Sequence, residues 1–486
     1  MGSIPRLSLV KHPASREEMV AAARATLEAA LARVVELETS EEASFEAYEV
    51  AALAAANEAT RACLARRLRE IGDGYGDEIR VDGRDYRRHQ PGRVGYHSLC
   101  GEVVVERWTY REVGVRNGPT VVAVELAAGL IQGATPAMAF AVAQGFAKMP
   151  SRHLEEEMRA LHRCPPSRST LERLGHGLGG AARQDVIEIE AVLRTQEKLP
   201  TGAHAIAVGL DRTSVPMIEE RPLSQAPASP RRPRRKDYVR RAPHPFDVMY
   251  RMAYVGTVSI VDAKGDALVV RRYAASAEEG PEDLVARMMA DVRRAREQQR
   301  ALPIVVVQDG ALELWGRMWE ALRGAGVPRW HEAIDRFHLN EKIAHTLEES
   351  EKDESKRRER YATWMHMLDH DAYAIEKIYG WIERQRTKAR GGAAKAYDQL
   401  TSYISGNEGR MRYAKLRRAG FPTGSGVTEG ACKSLITMRA KRSGQRWYHD
   451  GLTAVLTLRA LHQSDRLDRF WERFARRYSA NVAAAA

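Results

Sequence analysis

Hydrophobic and polar positions follow several rhythms along this chain. Residues 15 to 71 place Ala, Leu and Val at helical spacing against Glu and Arg, without Pro, and predict two or three amphipathic helices. Residues 78 to 117 change rhythm. Ile79-Arg-Val81 and Val103-Val-Val105 gather β-formers, Gly83, Gly92 and Gly101 punctuate them, and a small β-rich module is predicted. Helical spacing returns over 122 to 197. Leu126 to Ala147 carries no charge, but Gln132, Gln144 and the break at Thr135-Pro136 predict two buried helices rather than a membrane span, with Thr135 as N-cap and Pro136 in the first turn. Ser151 to His162 is a further helical run, broken by Arg163-Cys-Pro-Pro166. A helix then restarts with Ser169 and Glu172 at capping-box spacing.

From about residue 203 the pattern turns to strands. Ile206-Ala-Val-Gly-Leu-Asp211 is an apolar run ending in one carboxylate, with a polar turn predicted after it. Val255 to Val261 and Ala267 to Val270 flank Asp262-Ala-Lys-Gly-Asp266 and predict a hairpin. Pro281 to Arg300 is a helix, Ile304 to Val307 a buried strand leading into Gln308-Asp309-Gly310, and Leu312 to Arg323 another helix. Strand, hairpin, helix, strand, helix implies a mixed α/β sheet in which the two strand-end carboxylates lie close together; this order is similar to that of RNase H-like folds. Residues 340 to 415 are helical and densely charged. Thr423-Gly-Ser-Gly-Val-Thr-Glu429 opens a last acidic helix running to about Arg442, followed by a terminal helix and a basic aromatic tail.

The regions read as follows: helical (1–75), small β-rich (76–120), helical with a candidate helix-turn-helix (121–200), first part of an RNase H-like catalytic core (201–339), all-helical insertion (340–420), and the last acidic helix with C-terminal helices (421–486). The expected class is mixed α/β: an RNase H-like catalytic domain with an all-α insertion, behind a helical and β-rich DNA-binding region.

Charge changes this picture by adding a partner. With 76 Lys and Arg against 64 Asp and Glu, the net charge is +12, which favours a polyanion, nucleic acid above all. The excess is clustered. Arg84, Arg87, Arg88, Arg93, Arg107 and Arg111 lie in the β-rich module, open to phosphate contact or to a role as solvated strand faces. Arg168, Thr170 and Arg173 stand at the start of the candidate recognition helix, where side chains meet base edges; a plain helical hairpin has the same pattern. The Pro-rich segment Arg221 to Pro243 holds Arg231, Arg232, Arg234, Arg235 and Lys236 and reads as a phosphate-gripping arm or a solvated loop. The four cysteines, Cys63, Cys100, Cys164 and Cys432, lack CxxC spacing and read as reduced thiols of a cytoplasmic protein. No secretory signal pattern is visible over Met1 to Arg16.

Asp211, Asp309 and Glu429 are candidate catalytic residues. Phosphodiester chemistry with two divalent cations needs a nucleophile made reactive and charge on the leaving oxygen offset, and Mg²⁺ takes a few carboxylates plus water and phosphate oxygens. Each acid has an ordinary reading too: a turn residue at Asp211 or Asp309, and an ion pair from Glu429 to Lys433. Asp335 and His338, three apart at a strand-to-helix junction, lie on one face and form an auxiliary pair near the site, unless Asp335 simply caps the helix.

Asp211-Arg-Thr-Ser-Val-Pro216, Gln308-Asp309-Gly310, Ile334-Asp335-Arg-Phe-His338 and Gly424-Ser-Gly-Val-Thr-Glu429-Gly-Ala-Cys-Lys433 together resemble DDE-type insertion-sequence transposases, most closely the ISKra-type family. The Asp335-x-x-His338 pair is similar to a motif of transposases with a helical insertion, such as the Mutator and hAT groups. The resemblance covers roughly residues 85 to 460, and the run from Glu429 through Trp447 is its most specific part. Cys100 stands alone in the β-rich module, where family members commonly carry more cysteines.

The resemblance implies a DNA transposase that nicks the element's ends and joins the freed 3′ hydroxyl to target DNA. Asp211, Asp309 and Glu429 would bind two Mg²⁺ or Mn²⁺ ions, and Lys433 would contact phosphate. Arg439, Lys441, Arg442, Arg446 and Trp447 would grip DNA, Trp447 by stacking. The implied partners are terminal inverted repeats, target DNA and at least a second copy of the chain, in a bacterial cytoplasm at the nucleoid. The alternatives are a non-catalytic DNA-binding regulator derived from a transposase and an RNase H-like nuclease.

Overall fold

The computed structural model describes residues 16–38, 44–220, 246–478 and 482–484. The basic segment holding Arg231, Arg232, Arg234, Arg235 and Lys236 lies outside the described residues. The chain is mixed α/β and forms two compact units: Met1–Ile189 with Leu467–Ala486, and Glu190–Arg466.

In chain order, α1 (Arg16–Glu38) and α2 (Phe45–Asp73) precede β1 (Glu78–Val81), β2 (Arg84–Ser98), β3 (Gly101–Glu112) and β4 (Thr120–Val121). Then come α3 (Ala123–Ala127), α4 (Pro136–Lys148), α5 (Ser151–Ala160) and α6 (Arg168–Gln196). The second unit contributes β5 (Ala205–Glu220), β6 (Phe246–Val261), β7 (Ala267–Ala275), α7 (Glu282–Gln298), β8 (Ile304–Gln308), α8 (Leu312–Gly324) and β9 (His331–Ile334). It continues with α9 (Arg336–Ser350), α10 (Glu354–His370), α11 (Ala374–Arg386), α12 (Gly391–Ser405) and α13 (Tyr413–Arg418). Next are α14 (Gly426–Ala431), a π-helical segment (Cys432–Thr437), α15 (Met438–Ala440) and α16 (His449–Gln463); α17 (Leu467–Tyr478) and β10 (Val482–Ala484) end the chain.

The first unit contains an antiparallel sheet in the order β10-β1-β2-β3-β4. Its inward face buries Ile79, Tyr86, Tyr96, Val103, Val105 and Tyr110. The module's arginines are largely engaged within it. Arg87 pairs with Glu78 at 2.7 Å, Arg88 with Asp77 at 3.0 Å and Arg107 with Glu125 at 3.3 Å, and Arg88 also lies 4.9 Å over Trp108. Thr135 caps α4 by accepting from the Met138 amide, with Pro136 next, as its sequence implies. No helix among the described residues is long and apolar enough to cross a membrane. The aromatic tail is core: Phe470 and Phe474 of α17 are fully buried, and Trp471 meets Phe140 of α4 at 5.4 Å.

Two local expectations change in this unit. Ser167, not Ser169, caps α6, its hydroxyl facing the Thr170 amide at 3.4 Å, because Pro165-Pro166 holds the chain extended up to that residue. Arg168 and Arg173 are exposed on the first turns of α6, while Thr170 is half-buried and shares a hydrogen bond with Ser167.

The second unit is built on a sheet in the order β7-β6-β5-β8-β9. The strands β5, β6 and β7 are antiparallel neighbours, whereas β8 runs parallel to β5 and β9 parallel to β8. Alternation sorts the side chains by face. On one face Ile206, Val208 and Leu210 of β5, Val258 and Ile260 of β6, and Ile304 and Val306 of β8 pack with Met288 of α7 and Trp315 of α8. On the other, Ala205, Ala207, Val305 and Val307 pack with Ala333, Leu416 and Phe421. The small residues of β5 on that second face leave room for the chain's last acidic helix.

The strand β5 is 16 residues long and does not turn after Asp211. It stays paired with β6 out to Glu220, because the hairpin ladder continues where β8 has already ended. Asp211 therefore sits three residues past the last parallel pair, inside the strand rather than at its end. The helices α9 to α13 form a separate cluster around Ile343, Leu347, Trp364, Ile378, Leu400 and Tyr413.

A buried ionic network fastens the start and end of this unit. Arg466 is fully buried and donates to Glu197 at 2.7 Å and to Asp291 at 2.9 Å. Arg194 bonds Asp291 at 2.6 Å and Glu190 at 3.0 Å, and Arg287 holds both oxygens of Glu190 at 2.8 Å. Burial alone would raise Glu190 and Asp291; the arginines outweigh it and hold both carboxyls below their ordinary range.

Candidate active site

The site follows from strand register. Ile206 of β5 pairs with Ile304 of β8, and Val208 with Val306. The same offset carried three residues further sets Asp211 level with Asp309. Both also fall on the face of Ala205, Ala207, Val305 and Val307. Past the end of the ladder, the Leu210 amide donates to the Gln308 side-chain oxygen at 3.1 Å, so the two strands stay joined beside the acids.

The last acidic helix lands on the same face. A Cβ on Gly209 would sit 2.2 Å from the Thr428 hydroxyl and 2.8 Å from the Val307 carbonyl. Only glycine admits the helix this closely. Thr428 and Thr257 of β6 share a buried hydrogen bond of 2.7 Å, which fixes α14 against the sheet and brings Glu429, the next residue, beside Asp211. Burial, with the charges of Asp309 and Glu429, raises the Asp211 carboxyl above the ordinary carboxylate range, against hydrogen bonds from the Arg212 amide and the Cys432 thiol. Burial and Asp211 in turn push the Cys432 thiol up to about 12, so it stays protonated and can donate.

Asp335 and His338 complete the cluster. Asp335 does cap α9, accepting from the His338 amide at 2.8 Å, and also meets His338 Nδ1 at 3.1 Å. Its other oxygen accepts from the Ser425 hydroxyl at 2.7 Å, and Ser425 also bonds Glu429. His338 Nδ1 lies 3.6 Å from Glu429. Hydrogen bonds from Ser425 and His338 hold the buried Asp335 carboxyl below its ordinary range, although burial itself acts the other way. Ligand atoms of Asp335, His338 and Glu429 all lie within 4.8 Å of one another, a donor set of two carboxylates and an imidazole that could hold a divalent cation. Asp309 accepts from the Ala311 amide at 3.0 Å through one oxygen and is half-buried. Glu429 is thus tied to Ser425 and His338 rather than to Lys433, which is exposed.

Two of the residues expected to grip DNA are part of the core. Trp447 is buried, its indole donating to the Ala440 carbonyl at 3.0 Å and its backbone bonded to Pro216 and Ile218 of β5. Arg439, also buried, lies 4.9 Å over the Trp447 ring. Neither can stack on a base or reach a phosphate; they anchor the helix to β5. Lys441, Arg442 and Arg446 are exposed, and Lys441 also donates to Thr213 at 3.0 Å, beside Asp211.

Sequence reasoning missed several members of the site. Ser425 links Asp335 to Glu429, and Cys432 donates to Asp211; the Gly-Ser loop and the spacing of one turn after Glu429 are their only sequence signals. Tyr403 of α12 was not foreseen at all. Its ring would touch a Cβ on Gly310 at 3.3 Å, and its hydroxyl is buried without a hydrogen-bond partner. Burial, with Asp335 and Asp309 nearby, raises that hydroxyl well above its ordinary value, so it is a donor without an acceptor at the edge of the cluster. The π-helical segment after Glu429 has a physical cause: the buried Arg459 of α16 donates to the Leu435 carbonyl at 2.9 Å and to Ser434, satisfying groups the widened turn leaves over.

Compared with protein-family models and with curated proteins, the chain matches none.

Proposed function

We propose that the chain is a metal-dependent polynucleotidyl transferase with an RNase H-like core and a helical insertion, and that it acts as a DDE-type DNA transposase. The observation that carries this reading is the arrival of Asp211, Asp309 and Glu429 from two parallel strands and a helix onto one face of one sheet. Strand order and sense in the second unit fit that core, and the net charge of +12 fits a DNA substrate.

Divalent cations bound there would make a water or a 3′ hydroxyl nucleophilic and offset charge on the leaving oxygen. The residues present fit such ions. Asp211 is half-buried near two further carboxylates, an arrangement that a cation relieves. Asp335, His338 and Glu429 have ligand atoms close enough to share one ion, and Asp211 and Asp309, which stand outside that group, would join Glu429 in holding the ions. Asp335 orients the His338 ring through Nδ1, and among the described residues Nε2 has no partner, so it is open to a ligand. Lys441, Arg442 and Arg446, exposed just beyond the helix, would steady the DNA backbone. Arg168, Thr170 and Arg173 would contribute to end recognition.

The transposase reading is tested by strand transfer. Duplex DNA carrying the element's own ends, pre-cut to leave a 3′ hydroxyl, should be joined to a target plasmid when Mg²⁺ or Mn²⁺ is present. The same ends lacking the 3′ hydroxyl should give no joint product. Degradation of DNA without joining would assign a nuclease instead.

A further inference from the structure

A cleft of about 720 Å³ in the second unit is not at the carboxylates. It opens where β8 and β9 begin, at Ile304 and His331, whereas Asp309 and Asp335 stand just past the ends of those strands. A strand the length of β8 puts about 15 Å between the two edges.

The lining of the cleft is cationic. Arg296 and Arg300 come from the end of α7 and the turn after it, Arg329 from the turn before β9. Arg300 and Arg329 are exposed, and among the described residues neither has a hydrogen bond or an ion pair. Arg296 reaches only the Gly326 carbonyl, at 3.5 Å, and its Nε is buried without a partner. The one acid in the lining, Glu332, is already taken by Arg410 at 3.0 Å and by the indoles of Trp319 and Trp330 at 2.7 and 2.8 Å. The carbonyl ends of α7 and α8 explain Arg296 alone, since it is the arginine that reaches one of them.

We propose that this cleft binds the phosphates of a nucleic-acid strand, as a second nucleic-acid site on the sheet edge opposite the carboxylates. Guanidinium groups are suited to phosphate oxygens, and here they come from two separate turns, as a line of phosphates requires. A mononucleotide site would need a loop of converging amides and an acid free for the ribose; the acid present is committed. Trp330 supplies an indole wall to the same cleft. The inference stands apart from the carboxylate reading, because it rests on neither those residues nor a metal.

The test uses the full chain in EDTA, so that nothing is cleaved, with a short fluorescein-labelled oligothymidylate. Ultraviolet crosslinking followed by peptide mapping should place thymine on residues 296–304 or 328–332. Anisotropy titrations over a range of KCl should show the Arg300→Gln/Arg329→Gln variant binding about tenfold more weakly, with a salt slope smaller by about 1.4. Arg300→Lys/Arg329→Lys should keep the slope. Both sites being exposed, the melting temperature should not move; the crosslink map of the wild-type chain decides the matter even if a variant misfolds. An unchanged slope with no crosslinks at those segments would overturn the proposal. ATP binding at this cleft as tightly as the oligothymidylate would overturn the assignment to a strand.

Discussion

Individual residues decide whether the cluster works, and most of the acids were legible because their chemistry demands an unusual local sequence. An apolar run that ends in Asp, twice, and an acid just after a Gly-Ser loop are hard to hide. Their partners were not legible, since a Ser, a Cys and a Tyr are ordinary residues until the fold places them. Replacing Tyr403 by Phe should lower the metal-dependent rate by about tenfold while leaving DNA binding intact. A rate equal to wild type would make its hydroxyl irrelevant. Gly209→Ala should destabilise the protein by about 1–3 kcal/mol in denaturant titration and abolish activity, because the new Cβ meets the Thr428 hydroxyl and the Val307 carbonyl. Asp211 has a pH signature of its own. Its carboxyl is raised in the folded protein, so its ionised form at neutral pH disfavours folding. Calorimetry in EDTA should therefore show Asp211→Asn melting at or above the wild-type temperature, without the gain that Mn²⁺ confers on the wild type.

Among the elements, the helix that carries Glu429 and the strand that carries Asp211 both depart from their sequence patterns. The extension of β5 to Glu220 is set by its ladder with β6, and pairing of that kind is invisible to a window of neighbouring residues. The π segment answers to Arg459, which lies far along the chain. The ionic network was equally hidden, because Glu190, Asp291 and Arg466 each look like surface residues of their own helix or turn. It has two measurable consequences. Arg466→Met should cost about 3 kcal/mol, because it removes the fully buried guanidinium between Glu197 and Asp291 and leaves Asp291 to Arg194 and Glu197 to Arg271. Glu190 and Asp291 have depressed carboxyls, so their contribution is present above the ordinary carboxylate range and is lost as pH falls through and below it. Acid unfolding of the second unit should accordingly begin within the carboxylate range, and Glu190→Gln should flatten that dependence. A pH-independent melting temperature there would mean that the network is not ionic.

At the scale of the whole chain, alternation of strands and helices was enough to anticipate a mixed sheet and an all-helical segment between β9 and α14. It was not enough to anticipate that Leu467–Ala486 belongs with the first unit, through α17 and through β10 beside β1. Long-range strand pairing leaves no local trace. Nor could the pattern tell a basic residue facing solvent from Arg439, which is folded against Trp447. Central to all of this is the proposal that Asp211, Asp309 and Glu429 together carry out metal-dependent DNA cleavage. The direct measurement is Mg²⁺- or Mn²⁺-dependent nicking of DNA bearing the element's ends by the wild type and by Asp211→Asn, Asp309→Asn and Glu429→Gln. Each variant should lose cleavage by about a thousandfold or more while binding the same DNA within about twofold. Cleavage that survives in all three variants would contradict the assignment.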